Sequence, residues 1–171
     1  MRSTKSFTYI LFQMNIFYLH HNTKICAEMH VNKHCVKMIV EYAQLLCTSH
    51  RVLDKNNSDV LYKATYMNHP SAIWVRESVE NYQWLFNMFC DLIIEYKYRY
   101  GKTHKSSRLI PYLKIPPKNI PMKPFTEPTP IMPKEFVVMG DSIKSYHNYY
   151  RGAKKHLHKW KNRDIPSFIE V

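Results

Sequence analysis

Glycine is scarce: the 171 residues hold three. A Walker loop, a G-x-G-x-x-G turn, a G-x-S-x-G elbow and a kinase signature are all missing, which excludes P-loop nucleotide hydrolysis. Acidic residues are also in the minority, 13 against 25 Lys and Arg, for a net charge of +12. Such a balance asks for a polyanionic partner. Nucleic acid suits it and a membrane does not, because the cations alternate with Tyr and His and no segment reaches the roughly 18 apolar residues needed to span. The four cysteines, Cys26, Cys35, Cys47 and Cys90, form no C-x-x-C pair and are too sparse for a secreted disulfide scaffold. They read as buried thiols in a reducing compartment, the cytoplasm.

What is abundant is apolar and aromatic: 45% of residues are hydrophobic and 14% aromatic, enough to bury one core at this length. The opening "MRSTKSFTYILFQMNIFYL" sets cations ahead of an apolar run, as a signal peptide does, but Gln13 and Asn15 interrupt the run and no small-x-small cleavage site follows. Met14 opens "MNIFYLHH". Residues 1–13 are therefore read as an N-terminal extension and 14–171 as a single helical domain, with "NIFYL" a short buried strand or extended segment.

The expected fold class is mainly α, a single-domain helical bundle with a short N-terminal extended segment and a Pro-rich ordered strap. Asn22 or Thr23 can cap a first helix running to about Ser49. Ser78 can cap a second that reaches Tyr100, with Tyr82, Leu85, Phe86, Phe89, Leu92, Ile93 and Tyr96 at helical spacing and Gly101 as C-terminal cap. Most of the ten prolines lie in "PYLKIPPKNIPMKPFTEPTPIMP", residues 111–133, which rules out a long regular element. Its Leu113, Ile120, Phe125, Ile131 and Met132 are too apolar for a free linker, hence the strap. Asp141 can cap a last helix whose apolar side runs from Ile143 to Trp160.

Within the first helix, "MHVNKHCVKMIVEYAQLL" carries its polar residues on one narrow arc: His30, Lys33, His34, Lys37, Glu41, Gln44 and Thr48. The remaining arc is apolar, so the helix is expected at the centre of the bundle, and its polar seam either lines a groove or is a solvated strip. His30 and His34 at i, i+4 have metal-ligand spacing, yet Lys33 and Lys37 share the seam and oppose a divalent cation, so neither metal nor cofactor is expected. The lysines suit anion binding or, when desolvated, nucleophilic attack on a sugar carbon. Glu41 would be the acid or base.

A second basic feature is "YKYRYGKTHKSSR", residues 96–108. Arg99, Lys102, His104, Lys105 and Arg108 can neutralise phosphates, and the interleaved tyrosines can stack on bases. A solvated helix end whose cations suit the dipole is the plainer explanation. Arg151, Lys154 and Lys155 on the last helix extend the basic surface. His69, in the turn "NHPS", either contacts substrate or only makes a corner.

From Met14 to about Glu170 the chain resembles a group of uncharacterised proteins from phages and large DNA viruses, through "KHCVKMIVEYAQLL", "HRVL", "NHPSAIW", "NYQWL", "EYKYRYGKTHK" and "IPPKNIP". Over its first 75 residues, "MNIFYLH" followed by the charged helix and "YKATYMNHP" is also similar to pyrimidine-dimer DNA glycosylases of the phage endonuclease V type. That second resemblance implies a small helical DNA-repair enzyme of a host-cell interior, acting on damaged bases through a free N-terminal α-amine. The amine attacks the sugar C1′ with help from a helical glutamate, and the strand is then cleaved through the Schiff base. It would place the amine on Asn15 after loss of Met14 and the glutamate at Glu41 or Glu28, although asparagine is not the residue expected there. The expected function is thus a DNA glycosylase and abasic-site lyase, with DNA rather than RNA as partner. Two alternatives stand beside it: a non-catalytic nucleic-acid-binding viral protein, and a metal-dependent hydrolase built on His30 and His34.

Overall fold

The structure, a computed structural model, describes residues 14–170; the extension expected at 1–13 lies outside the described residues. Six α-helices occur among them: α1 (Thr23–Met29), α2 (Asn32–Asp54), α3 (Pro70–Glu77), α4 (Val79–Tyr100), α5 (Ile110–Leu113) and α6 (Ser142–Arg151). The described residues include no strand, only an isolated bridge between Val138 and Asp141, and no helix long and apolar enough to cross a membrane. The long helices α2 and α4 pack on each other, and α1 and α3 pack on α4. The fold is all-α, as the sequence periodicity indicates.

Several boundaries follow from local chemistry. The Asn22 side chain accepts from Ile25 N at the start of α1, and the Ser78 hydroxyl accepts from Glu80 N and Asn81 N at the start of α4, satisfying N–H groups that a first turn leaves unpaired. Gly101 ends α4 in the left-handed region, with φ 67°. Asp141 caps α6 through Lys144 N. The segment 14–19 is irregular yet fully buried, with Ile16, Phe17, Tyr18 and Leu19 in the core.

Two expected helices are shorter than their periodicity suggests. The first is broken at His30 and Val31, so that α1 and α2 are separate. The break is held from far away: Arg99 of α4 donates to the carbonyls of Glu28 (2.9 Å) and His30 (2.8 Å), and the Trp160 indole donates to Met29 O (2.8 Å). These bonds satisfy carbonyls that a helix end exposes. The last helix stops at Arg151, and the next residue, Gly152, lies against the Phe136 ring, which an added Cβ would strike. Leu157 and Trp160 lie beyond it.

The Pro-rich segment is an ordered strap, as expected. With few ladder bonds available to it, side chains of the helices take their place. Asp54 accepts from Lys118 N and Asn119 N, Ser78 donates to Lys123 O, Glu80 accepts from Phe125 N, and the Trp74 indole donates to Thr126 O. Ile120, Ile131 and Met132 are buried along it.

Candidate functional site

The seam of α2 is real but only part of it is accessible. Lys33 and Lys37 are exposed, Glu41 and Gln44 are half-buried, and His34 and Thr48 are buried. His30 precedes the helix and is fully buried: its Nδ1 meets Cys26 O at 2.7 Å and its Nε2 the Tyr42 hydroxyl at 2.9 Å. Burial lowers its pKa to about 4. His34 lies face to face with Phe17, centroids 4.0 Å apart, and pairs through Nδ1 with the Tyr150 hydroxyl at 2.7 Å. Burial, the nearby His30 and then the lysines push its pKa well down. Both imidazoles are thus committed inside the protein, which corrects the reading that placed them in an open seam. Among the described residues no three His, Cys, Asp or Glu side chains converge as a metal site would require.

What remains of the seam borders an open cavity of about 300 Å³ lined by Met14, Lys37, Glu41, Gln44 and Tyr66. The Glu41 carboxylate sits at its wall. Its Oε1 is 3.3 Å from Lys37 Nζ, while its Oε2 is buried with no hydrogen-bond partner among the described residues. Burial raises the Glu41 pKa, against the pull of Lys37 and of the Asn15 backbone N–H. The Lys37 side chain is 54% exposed, so this pair adds little stability.

Asn15, next to Met14 of the cavity wall, is buried and its side chain is an anchor. Its Nδ2 donates to Ile131 O at 2.7 Å, and its Oδ1 accepts from the Tyr146 hydroxyl at 2.6 Å. Both side-chain ends are tied to the strap and α6, and the backbone nitrogen is left beside Glu41. This explains an asparagine at that position: the side chain fixes the place of the nitrogen. Glu28, the other candidate glutamate, lies elsewhere, in an ion pair with Arg163 at 3.4 Å.

Lys154 also belongs here. It follows α6, stacks its ammonium over Tyr149 at 5.0 Å from the ring centre, and is half-buried. Its pKa is lowered, first by burial and then by Lys37 and Lys33. The sequence marks Lys154 only as one basic residue of the last helix; its approach to the seam is set by the turn at Gly152. Gln44 and Tyr66 complete the wall, and no short-range signal ties Tyr66 to Glu41.

The stretch at 96–108 divides differently from its even spacing of charges. Arg99 is 2% exposed, paired with Glu95 at 2.7 Å and spent on Asn32 Oδ1 and the carbonyls at the α1–α2 break. It is a structural residue and no phosphate ligand. Lys102 and Lys105 are exposed at a second cavity of about 520 Å³, with His104, Ser106, Tyr62 and Tyr96, while Val40 of α2 forms its floor. Arg108 lies over Tyr62 at 5.4 Å. His104 is partly spent as the cap of the following turn, accepting from Ser106 N, and burial lowers its pKa. Lys102, Lys105 and Arg108 therefore share one surface.

Of the remaining residues, Lys155 is exposed. Arg151 is bound to Asn148 and Phe168 O. His69 is buried and caps α3 by accepting from Ser71 N at 3.1 Å, a corner residue. Compared with protein families, curated proteins and solved structures, the chain matches none.

Proposed function

We propose that the chain is a DNA-acting enzyme of glycosylase and abasic-site lyase type, centred on the Glu41 cavity. The observation that carries this reading is the Glu41 carboxylate at the cavity wall, with Oε1 beside Lys37 and Oε2 buried without a partner among the described residues. A buried acceptor left unsatisfied costs about 1 to 3 kcal/mol. A general base needs a lone pair that no other group occupies.

In the sequence as written Asn15 is in peptide linkage with Met14, so its α-amine exists only where Met14 is the first residue and is removed. Loss of Met14, itself part of the cavity wall, would open the site toward that amine. The amine then attacks C1′ as the C–N bond to the base breaks, and Glu41 takes the proton released by the nitrogen and passes it to the leaving base, which restores the carboxylate. The C1′–O4′ bond breaks as the nitrogen lone pair forms the Schiff base, O4′ takes a proton from water, and the Glu41 carboxylate removes one from C2′. The 3′ phosphate leaves by elimination and water frees the sugar. The cations Lys33, Lys37 and Lys154 hold the flanking phosphates, and Lys102, Lys105 and Arg108 continue the track on the other side of α2.

A non-catalytic nucleic-acid-binding protein is the second reading, favoured by the same three lysines at the seam. The two part in borohydride trapping on abasic DNA. A chain processed to Asn15 is expected to form a covalent adduct, and Glu41→Gln to lower strand cleavage about 10²- to 10⁴-fold at unchanged binding. Binding without any adduct would leave the second reading.

A further inference from the structure

Tyr66 holds a backbone conformation with no local excuse. Its φ is 43°, a region that bulky residues seldom occupy and that is costly for them. The other described non-glycine residues there are Lys55, at the end of α2, and Asn162; a helix end explains the first, and asparagine tolerates the region. Three hydrogen bonds hold the loop at Tyr66 in place: Thr65 N to Thr48 Oγ1 of α2 at 3.1 Å, His69 N to Tyr66 O at 2.9 Å, and Arg76 Nη1 of α3 to Met67 O at 2.6 Å. The result is two neighbouring apolar side chains, Tyr66 and Met67, 50% and 49% exposed. Tyr66 stands on the wall of the Glu41 cavity. Among the described residues no hydrogen bond or ring contact engages its side chain.

We propose that Tyr66, with Met67 beside it, is a stacking wedge that enters the base stack of duplex DNA and fills the step vacated by the nucleotide whose sugar enters the Glu41 cavity. This rests on the reading of that cavity as a lyase site. The chemistry favours nucleic acid as the occupant. A stable protein interface needs on the order of 800 Å² per partner, far more than two side chains supply, whereas opening a base step needs only one or two apolar groups. The surrounding cations Lys33, Lys37 and Lys154 repel a basic partner and attract the phosphates on either side of such a step. An extruded nucleotide leaves an unstacked gap, and an aromatic ring rigidly held at the cavity wall is placed to close it.

The test compares the chain processed to Asn15 with its Tyr66→Asn and Tyr66→Phe variants. Asparagine tolerates the left-handed backbone and removes the ring; phenylalanine keeps the ring. The substrates are an abasic duplex with 2-aminopurine beside the abasic site, and the same abasic strand alone, which has no duplex to open. Tyr66→Asn is expected to slow single-turnover cleavage of the duplex by about 10- to 100-fold, in line with the removal of one aromatic stacking partner. It should also suppress the 2-aminopurine fluorescence rise, and lower borohydride trapping on the single strand far less than it lowers duplex cleavage. Tyr66→Phe should behave as the parent in all three. Duplex cleavage by Tyr66→Asn at the parental rate overturns the wedge, as does an equal loss on duplex and single strand. If the parent itself is not trapped on the single strand, the lyase reading falls and the wedge falls with it.

Discussion

His30, buried just before α2, and Glu41, half-buried on it, are both ionisable groups, and they differ in what surrounds them. His30 has a partner on each ring nitrogen, whereas Glu41 has one oxygen without any. The first is therefore read as architecture and the second as chemistry. The His30 pKa falls from 6.5 to about 4 in the fold, so the unfolded chain takes up the proton first as pH drops. Its contribution to stability is complete above about pH 6.5 and is lost as pH falls toward 4, an effect of about 3 kcal/mol from the linkage of one pKa shift. Melting temperatures between pH 7 and 4 should show this. His30→Gln is expected to start lower at pH 7, without the bonds to Cys26 and Tyr42, and to fall less steeply; parallel profiles would contradict the assignment. The seam was legible as a periodicity because Lys33, Lys37, Glu41 and Gln44 share one face by spacing alone. That His34 turns inward was not, since its partners Tyr150 and Phe17 lie in other segments.

Some elements in this fold end at local caps and others where tertiary contacts end them. The periodicity of α4 and its caps Ser78 and Gly101 were readable because the signals are local. The break between α1 and α2 was hidden, since neither glycine nor proline marks it and the groups that stabilise it, Arg99 and Trp160, come from α4 and the C-terminal segment. The end of α6 had a signal, Gly152, that an apolar pattern continuing to Trp160 outweighed. Gly152→Ala should destabilise the protein by about 1 to 3 kcal/mol, the usual cost of overpacking, because the new methyl meets the Phe136 ring. Trimming the ring as well, in Gly152→Ala with Phe136→Leu, should cost less than the sum of the two single changes in chemical denaturation. Simple additivity would mean the two residues do not clash.

At the scale of the molecule, part of the excess positive charge behind the net +12 lies on two surfaces that flank α2. Lys33, Lys37 and Lys154 lie toward Glu41, and Lys102, Lys105 and Arg108 toward Val40. Composition announced the charge but not which cations are free to meet phosphate, and the inward fate of Arg99 shows why: an arginine flanked by tyrosines on a helix reads alike whether it faces water or Glu95. Replacing Lys102 and Lys105 with Ala should therefore flatten the dependence of DNA affinity on salt by about 0.9 for each phosphate no longer neutralised, as measured by fluorescence anisotropy across a salt titration. An unchanged slope would remove that surface from the footprint. The central claim concerns the Glu41 cavity, where we propose that the α-amine of a chain beginning at Asn15 meets the Glu41 carboxylate. Peptide mapping by mass spectrometry of the borohydride-trapped adduct on abasic DNA tests it most directly, using a chain whose first residue is Asn15. The sugar is expected on the Asn15 α-amine and its yield should collapse in Glu41→Gln; an adduct on Lys33, Lys37 or Lys154, or DNA bound with no adduct at all, would contradict it.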